Sequence, residues 1–116
     1  MMKPNIIRDR SYRFALKVIH LSRGLRKQGE YELASQVLRS GTSIGANVEE
    51  ALAGVSRPDF AVKMSIASKE ARETHYWLRL LRDSKTLSAD QSDGMVTEIE
   101  ELIRILTAIV KTTKKK

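Results

Sequence analysis

The amino-acid sequence predicts an all-α protein folded as an antiparallel up-down-up-down four-helix bundle. Three observations carry this expectation. Apolar residues recur at three- and four-residue steps through four successive segments, no segment alternates as a half-buried strand would, and the breaks between segments are short enough to favour antiparallel neighbours. The 116 residues suit one domain spanning 1–116, a length at which folding hides roughly two-thirds of the unfolded surface. Helices are expected at roughly 9–28, 31–55, 57–83 and 89–112.

In the first segment Phe14, Val18, Leu21 and Leu25 form one stripe, broadened by Ala15, Leu16 and Ile19, and Gly29 supplies a stop. The second places Ala34, Leu38, Gly41, Gly45, Val48, Leu52 and Val55 on one seam, with Leu33, Val37, Ile44 and Ala51 beside it. Gly41 and Gly45 lie one turn apart, and each lowers helix propensity by roughly 1 kcal/mol. Close packing of another helix against both is expected to compensate.

The third segment opens with Ser56 as a cap, Pro58 in the first turn and Asp59 three residues after the serine. Phe60, Met64, Ala67, Ala71, Thr74, Leu78 and Leu81 then hold a seam, and Val62, Ile66, Trp77 and Leu80 add a second apolar strip. The fourth repeats the capping spacing at Ser88 and Gln91, puts Asp90 and Asp93 near its start and ends in lysines, as the helix dipole favours. Met95, Ile99, Leu102, Leu106 and Ile109 form its seam, flanked by Val96, Ile103 and Val110.

Several function classes are disfavoured. Gly41-Thr42-Ser43-Ile44-Gly45 spells G-x-S-x-G, yet a nucleophile elbow needs a strand before the serine and a sheet around it. Here helix precedes and helix follows, so no catalytic residue is assigned. Di-iron bundles need Glu-x-x-His pairs, whereas Glu73 and His75 are two apart and His20 has no acidic partner at helical spacing; no metal ligand and no cofactor are expected. No phosphate-loop motif occurs. The chain has no cysteine, no signal-like start and no apolar run of membrane length, so a cytoplasmic protein without a membrane role is expected.

The net charge of +7 is uneven. Residues 1–29 carry eight cations against Asp9, while residues 30–55 carry Arg39 against four glutamates. Arg8, Arg10, Arg13 and Lys17 on the first helix, with Lys111, Lys114, Lys115 and Lys116 at the end, form the candidate basic patch. Such clusters attract phosphate backbones by counterion release; the plainer reading is a solvated helix face and a frayed tail. Ser43, Asn47 and Glu50 share a face near the glycines, and Lys63, Glu70, Glu73 and Trp77 form a comparable stripe on the third helix. A hydrogen-bonded network between helices two and three is expected from them, with a polar ligand site as the alternative.

The run Leu38-Arg-Ser-Gly-Thr-Ser-Ile-Gly-Ala-Asn-Val-Glu-Glu-Ala51, then Ser56-Arg-Pro-Asp-Phe60, Lys63 and Ala67-Ser-Lys-Glu-Ala-Arg-Glu-Thr-His-Tyr-Trp-Leu-Arg-Leu-Leu81, carries a resemblance. Together with Phe14–Ile19 and Glu101–Leu106, it resembles the bacterial four-helix-bundle family encoded in 23S ribosomal RNA intervening sequences, over nearly the whole chain. The resemblance implies a short bundle assembling as a homopentameric ring, a feature shared with the related accessory protein of diversity-generating retroelements. That relative works by binding nucleic acid and its reverse transcriptase through a basic surface. No catalytic residue carries over.

The expected function is therefore a non-enzymatic homo-oligomeric scaffold that holds RNA or DNA through several copies of a weak basic patch, gaining avidity from multivalency. Aromatic residues are few and most lie on core seams, so platforms for base stacking are expected to be scarce. The rival expectation is a scaffold that docks an acidic protein partner without nucleic acid.

Overall fold

Asn5 begins the first helix. Its backbone is extended, and its Oδ1 accepts the Arg8 N–H at 2.9 Å, satisfying one donor that the first turn would leave unpaired. This cap starts α1 at Ile6, three residues before the expected position, and carries it through Lys27. The helix stops where Gly29 takes a left-handed conformation at φ 85°. There the Glu30 N–H reaches the Leu25 carbonyl at 2.9 Å and the Gly29 N–H reaches that of Arg26 at 3.0 Å, the two bonds of a Schellman cap.

The second helix, α2, spans Tyr31–Ala53. It ends two residues short of expectation because Gly54 turns extended, and a side chain there would collide with the Asp59 carboxylate. Val55, expected on the seam, is consequently fully exposed. Ser56 Oγ then accepts the Asp59 N–H at 3.2 Å and opens α3, Arg57–Asp83. Ser88 and Gln91 form a complete reciprocal box: Gln91 N–H donates to Ser88 Oγ at 3.2 Å, and Ser88 N–H donates to Gln91 Oε1 at 3.0 Å. That box starts α4, Ala89–Lys114. The computed structural model describes residues 5–114, and within them there are four helices and no strand.

The helices run up, down, up and down. Each packs on its neighbour in sequence, and α4 closes the ring on α1 through the thinnest of the four seams. Diagonal helices do not approach one another at the backbone. The bundle measures 45 × 25 × 24 Å, its long axis somewhat more than the roughly 40 Å that the 27 residues of α3 span at about 1.5 Å rise per residue.

Phe14, Val18 and Leu25 of α1, Val37, Ile44 and Val48 of α2, Met64, Leu78 and Leu81 of α3 and Ile99, Leu102 and Leu106 of α4 are closed to solvent. Each such side chain stabilises the fold by about 1.5–3 kcal/mol relative to an exposed one. The second seam is rotated from its expected position. Val37, Ile44 and Ala51 face the centre, whereas Leu38 is half-buried and Leu52 is exposed. On α1, Leu16 points outward and small Ser11 and Ser22 are buried instead.

Gly41 and Gly45 both face α1. A Cβ at Gly41 would lie 2.8 Å from both γ-carbons of Val18, so the valine fits only because the glycine has no side chain. Gly45 is looser, since a Cβ there would lie 3.4 Å from Ser11 Oγ.

Candidate nucleic-acid interface

Of the α1 cations, Arg10 and Lys17 sit on a face shared with α4. Lys17 Nζ lies 2.7 Å from Glu98 Oε1, and Arg10 is hydrogen-bonded to Glu101. The Arg10 guanidinium holds the Glu101 carboxyl below the usual carboxylate range. Arg8 is half-buried beside Asp9 at 3.6 Å, and Arg13 is exposed. Two of the four expected patch residues on α1 are thus neutralised by carboxylates that stitch the thin α1–α4 seam. Lys115 and Lys116 lie outside the described residues.

Lys111 and Lys114 do not extend that face. They turn to the other side of α4, where two adjoining clefts follow the α3–α4 seam. The first is lined by Arg72, Ile103, Arg104, Thr107, Ala108 and Lys111, the second by Ser65, Ser68, Lys69, Arg72, Val110 and Lys114. Arg72 belongs to both and donates to Thr107 Oγ1 at 3.2 Å, which fixes its guanidinium across the seam. Sequence reasoning missed Lys69, Arg72 and Arg104, because they are scattered among acidic residues along the chain. The available signal was helical register: Arg104, Thr107 and Lys111 recur at three- and four-residue steps opposite Lys69 and Arg72.

The polar residues expected to form one network between α2 and α3 separate into three groups. Asn47 Nδ2 bonds back to the Ser43 carbonyl at 2.9 Å and to Ser43 Oγ at 3.2 Å, entirely within α2. Lys63 Nζ reaches Glu50 Oε1 at 2.7 Å, which raises the lysine above its ordinary value. Glu70 and Glu73 are both held by Arg39, at 3.1 Å for Glu70 Oε1, and the Trp77 indole N–H donates to Glu73 Oε2 at 3.1 Å. These bonds, the Arg39 one first, hold Glu73 below its ordinary range. Arg39 therefore organises the acidic stripe, a role its isolated place in the sequence does not announce.

Ser43 lies inside α2, where its hydroxyl receives Asn47 rather than facing a histidine. His75 Nε2 lies 3.2 Å from Glu100 Oε2 on the α3–α4 face. Among the described residues no three histidine, aspartate or glutamate side chains converge to hold a metal. No helix of the described residues is long and apolar enough to cross a membrane.

Four antiparallel helices, a small-residue seam and ion-paired outer faces define a short helical-bundle protein. The family model for the 23S rRNA-intervening sequence protein matches residues 3–108, and the chain belongs to that family. The chain is also similar to a solved structure described as a protein of unknown function from the S23 ribosomal protein family of Bacteroides thetaiotaomicron VPI-5482. The two share 40% identity, covering 90% of this chain and 98% of that one, with a TM-score of 0.87. No curated protein matches the chain.

Proposed function

We propose that this protein is a non-enzymatic, self-associating cytoplasmic scaffold, a homopentamer by the family resemblance, whose basic surface holds nucleic-acid backbones without reading their sequence. The observation supporting self-association is the outer strip of α3. Val62, Ile66, Tyr76 and Leu80 are 56%, 37%, 48% and 39% exposed. At about 100° per residue their positions fall within about 40° of one line along the helix. Lys69 and Glu73 fall on the same line between Ile66 and Tyr76, so the apolar surface is two patches, Val62 with Ile66 and Tyr76 with Leu80, and these are what another copy would cover. Repeating one weak basic surface around an assembly raises avidity without any new contact.

Native mass spectrometry of gently purified protein, with and without nuclease, tests this reading. A pentamer carrying heterogeneous, nuclease-sensitive mass supports it. A clean oligomer keeps the scaffold and assigns it a protein partner instead, and a monomer overturns the assembly.

A further inference from the structure

We infer that the α3–α4 seam, and not the basic end of α1, is where this protein holds a phosphodiester backbone, an inference that rests on the nucleic-acid reading above. The two clefts of the seam share Arg72 and are lined by five cations, Lys69, Arg72, Arg104, Lys111 and Lys114, with no carboxylate among their lining residues. The α1–α2 cleft, by contrast, contains Glu49 and no cation, and the clefts beside Phe60 and Ile7 are uncharged. Lys69 lies near enough to Glu73, and Arg104 to Glu101, to act on those carboxylates. Among the described residues, however, none of the five groove cations is locked in an ion pair, whereas Arg10 and Lys17 are paired with glutamates across the α1–α4 seam.

The geometry suits a linear polyanion. Arg104 and Lys114 are separated by about 15 Å along α4 at 1.5 Å per residue, with Lys111 between them. At about 3.4 Å of rise per phosphate in one strand of a duplex, this span faces about four successive phosphates. Ser65, Ser68 and Thr107 place hydroxyls along the same path, the side chains that commonly bond phosphate oxygens. No aromatic residue lines either cleft, so the groove positions a backbone and does not stack bases. The same absence argues against an acidic protein: protein interfaces draw much of their affinity from buried aromatic anchors, which the groove lacks, and are depleted in lysine, which supplies three of its five cations.

Fluorescence anisotropy with a labelled 20-nucleotide RNA, across a salt series, tests the assignment on the full chain. The groove variant is Arg72→Gln with Arg104→Gln and Lys111→Gln; the comparison removes as many charges from α1, Arg8→Gln with Arg13→Gln and Lys17→Gln. We expect the groove variant to lose roughly tenfold or more in affinity at low salt, and its log–log salt slope to become shallower by about 2 to 3, one counterion term per cation removed. The loss should exceed that of the α1 variant. Because Arg72 also bonds Thr107, Arg104→Gln with Lys111→Gln alone, checked by circular dichroism, should retain the fold and most of the slope change.

A greater loss from the α1 variant overturns the groove and leaves the nucleic-acid reading intact. Absence of RNA binding by the unaltered chain at low salt overturns that reading and the groove with it. Polyglutamate or anionic lipid vesicles bound as tightly as RNA, through the same residues, would overturn the choice of a phosphodiester backbone.

Discussion

Thr74 of α3 and Ser40 of α2 form a hydrogen-bonded pair, Oγ1 to Oγ 2.9 Å apart, with both residues closed to solvent. Thr74 Oγ1 also lies 2.8 Å from the Glu70 carbonyl oxygen of its own helix. The pair fixes α2 and α3 in one axial register at the middle of the bundle, where apolar contacts alone tolerate sliding. Such a bond contributes about 1 kcal/mol net, but a buried hydroxyl stripped of its partner costs about 1–3 kcal/mol. Thr74→Val should therefore destabilise the fold by about 1–3 kcal/mol in urea unfolding. Adding Ser40→Ala should recover part of that loss, and strict additivity of the two changes would show that the pair is not coupled.

Gly41 and Gly24 should respond oppositely to alanine. At Gly41 the new methyl meets Val18 at 2.8 Å, so Gly41→Ala is expected to lose about 1–3 kcal/mol, with partial recovery when Val18→Ala makes room. At Gly24 a Cβ would meet nothing within 4 Å, and Gly24→Ala should gain about 0.5–1 kcal/mol from helix propensity. Thermal melts of the three variants decide it. Equal effects at the two glycines would refute the close approach of α1 and α2.

Acidification should weaken the Arg39–Glu73 link. Glu73 is held below its ordinary value of 4.5, first by the Arg39 hydrogen bond and then by Trp77. The folded state thus binds this proton less readily than the unfolded chain. Its contribution is complete above the ordinary glutamate range and is lost as pH falls through the folded value. Arg39 is half-exposed, so solvent screening keeps the effect below about 1 kcal/mol. Urea midpoints at pH 7 and pH 3 should fall less for Glu73→Gln than for the parent, and an identical fall in both would remove the pair from the account.

Lys85 occupies the left-handed region at φ 64°, in the turn where Leu87 N–H returns to the Leu81 carbonyl at 3.0 Å. A side chain in that conformation costs about 1–2 kcal/mol, partly offset in glycine by its greater unfolded freedom. Lys85→Gly should raise the melting temperature, corresponding to a gain of about 0.5–1 kcal/mol. A lower melting temperature would show that the lysine side chain stabilises this turn.

The helices and several of their ends were legible in the sequence because those signals are local. Ser56 and Ser88 sit three residues from the groups they cap, Gly29 alone supplies the turn after α1, and the α3 stripe from Met64 to Leu81 is buried as its spacing requires. The α2 boundary and seam were misplaced because Gly54 is set by Asp59, and because the burial of Val37 and Ile44 depends on how α2 rotates against two neighbours.

By itself, then, the sequence determined four amphipathic helices, a close approach at the glycines and a surplus of positive charge. Tertiary structure alone decided that Arg10 and Lys17 face Glu101 and Glu98, that Arg39 gathers Glu70 and Glu73, and that Lys69, Arg72, Arg104, Lys111 and Lys114 line one seam. The reason is physical: periodicity and capping act within a few residues of one helix, whereas charge pairing depends on the rotation and axial stagger between helices. Those two quantities are set only when the cores of all four helices pack together.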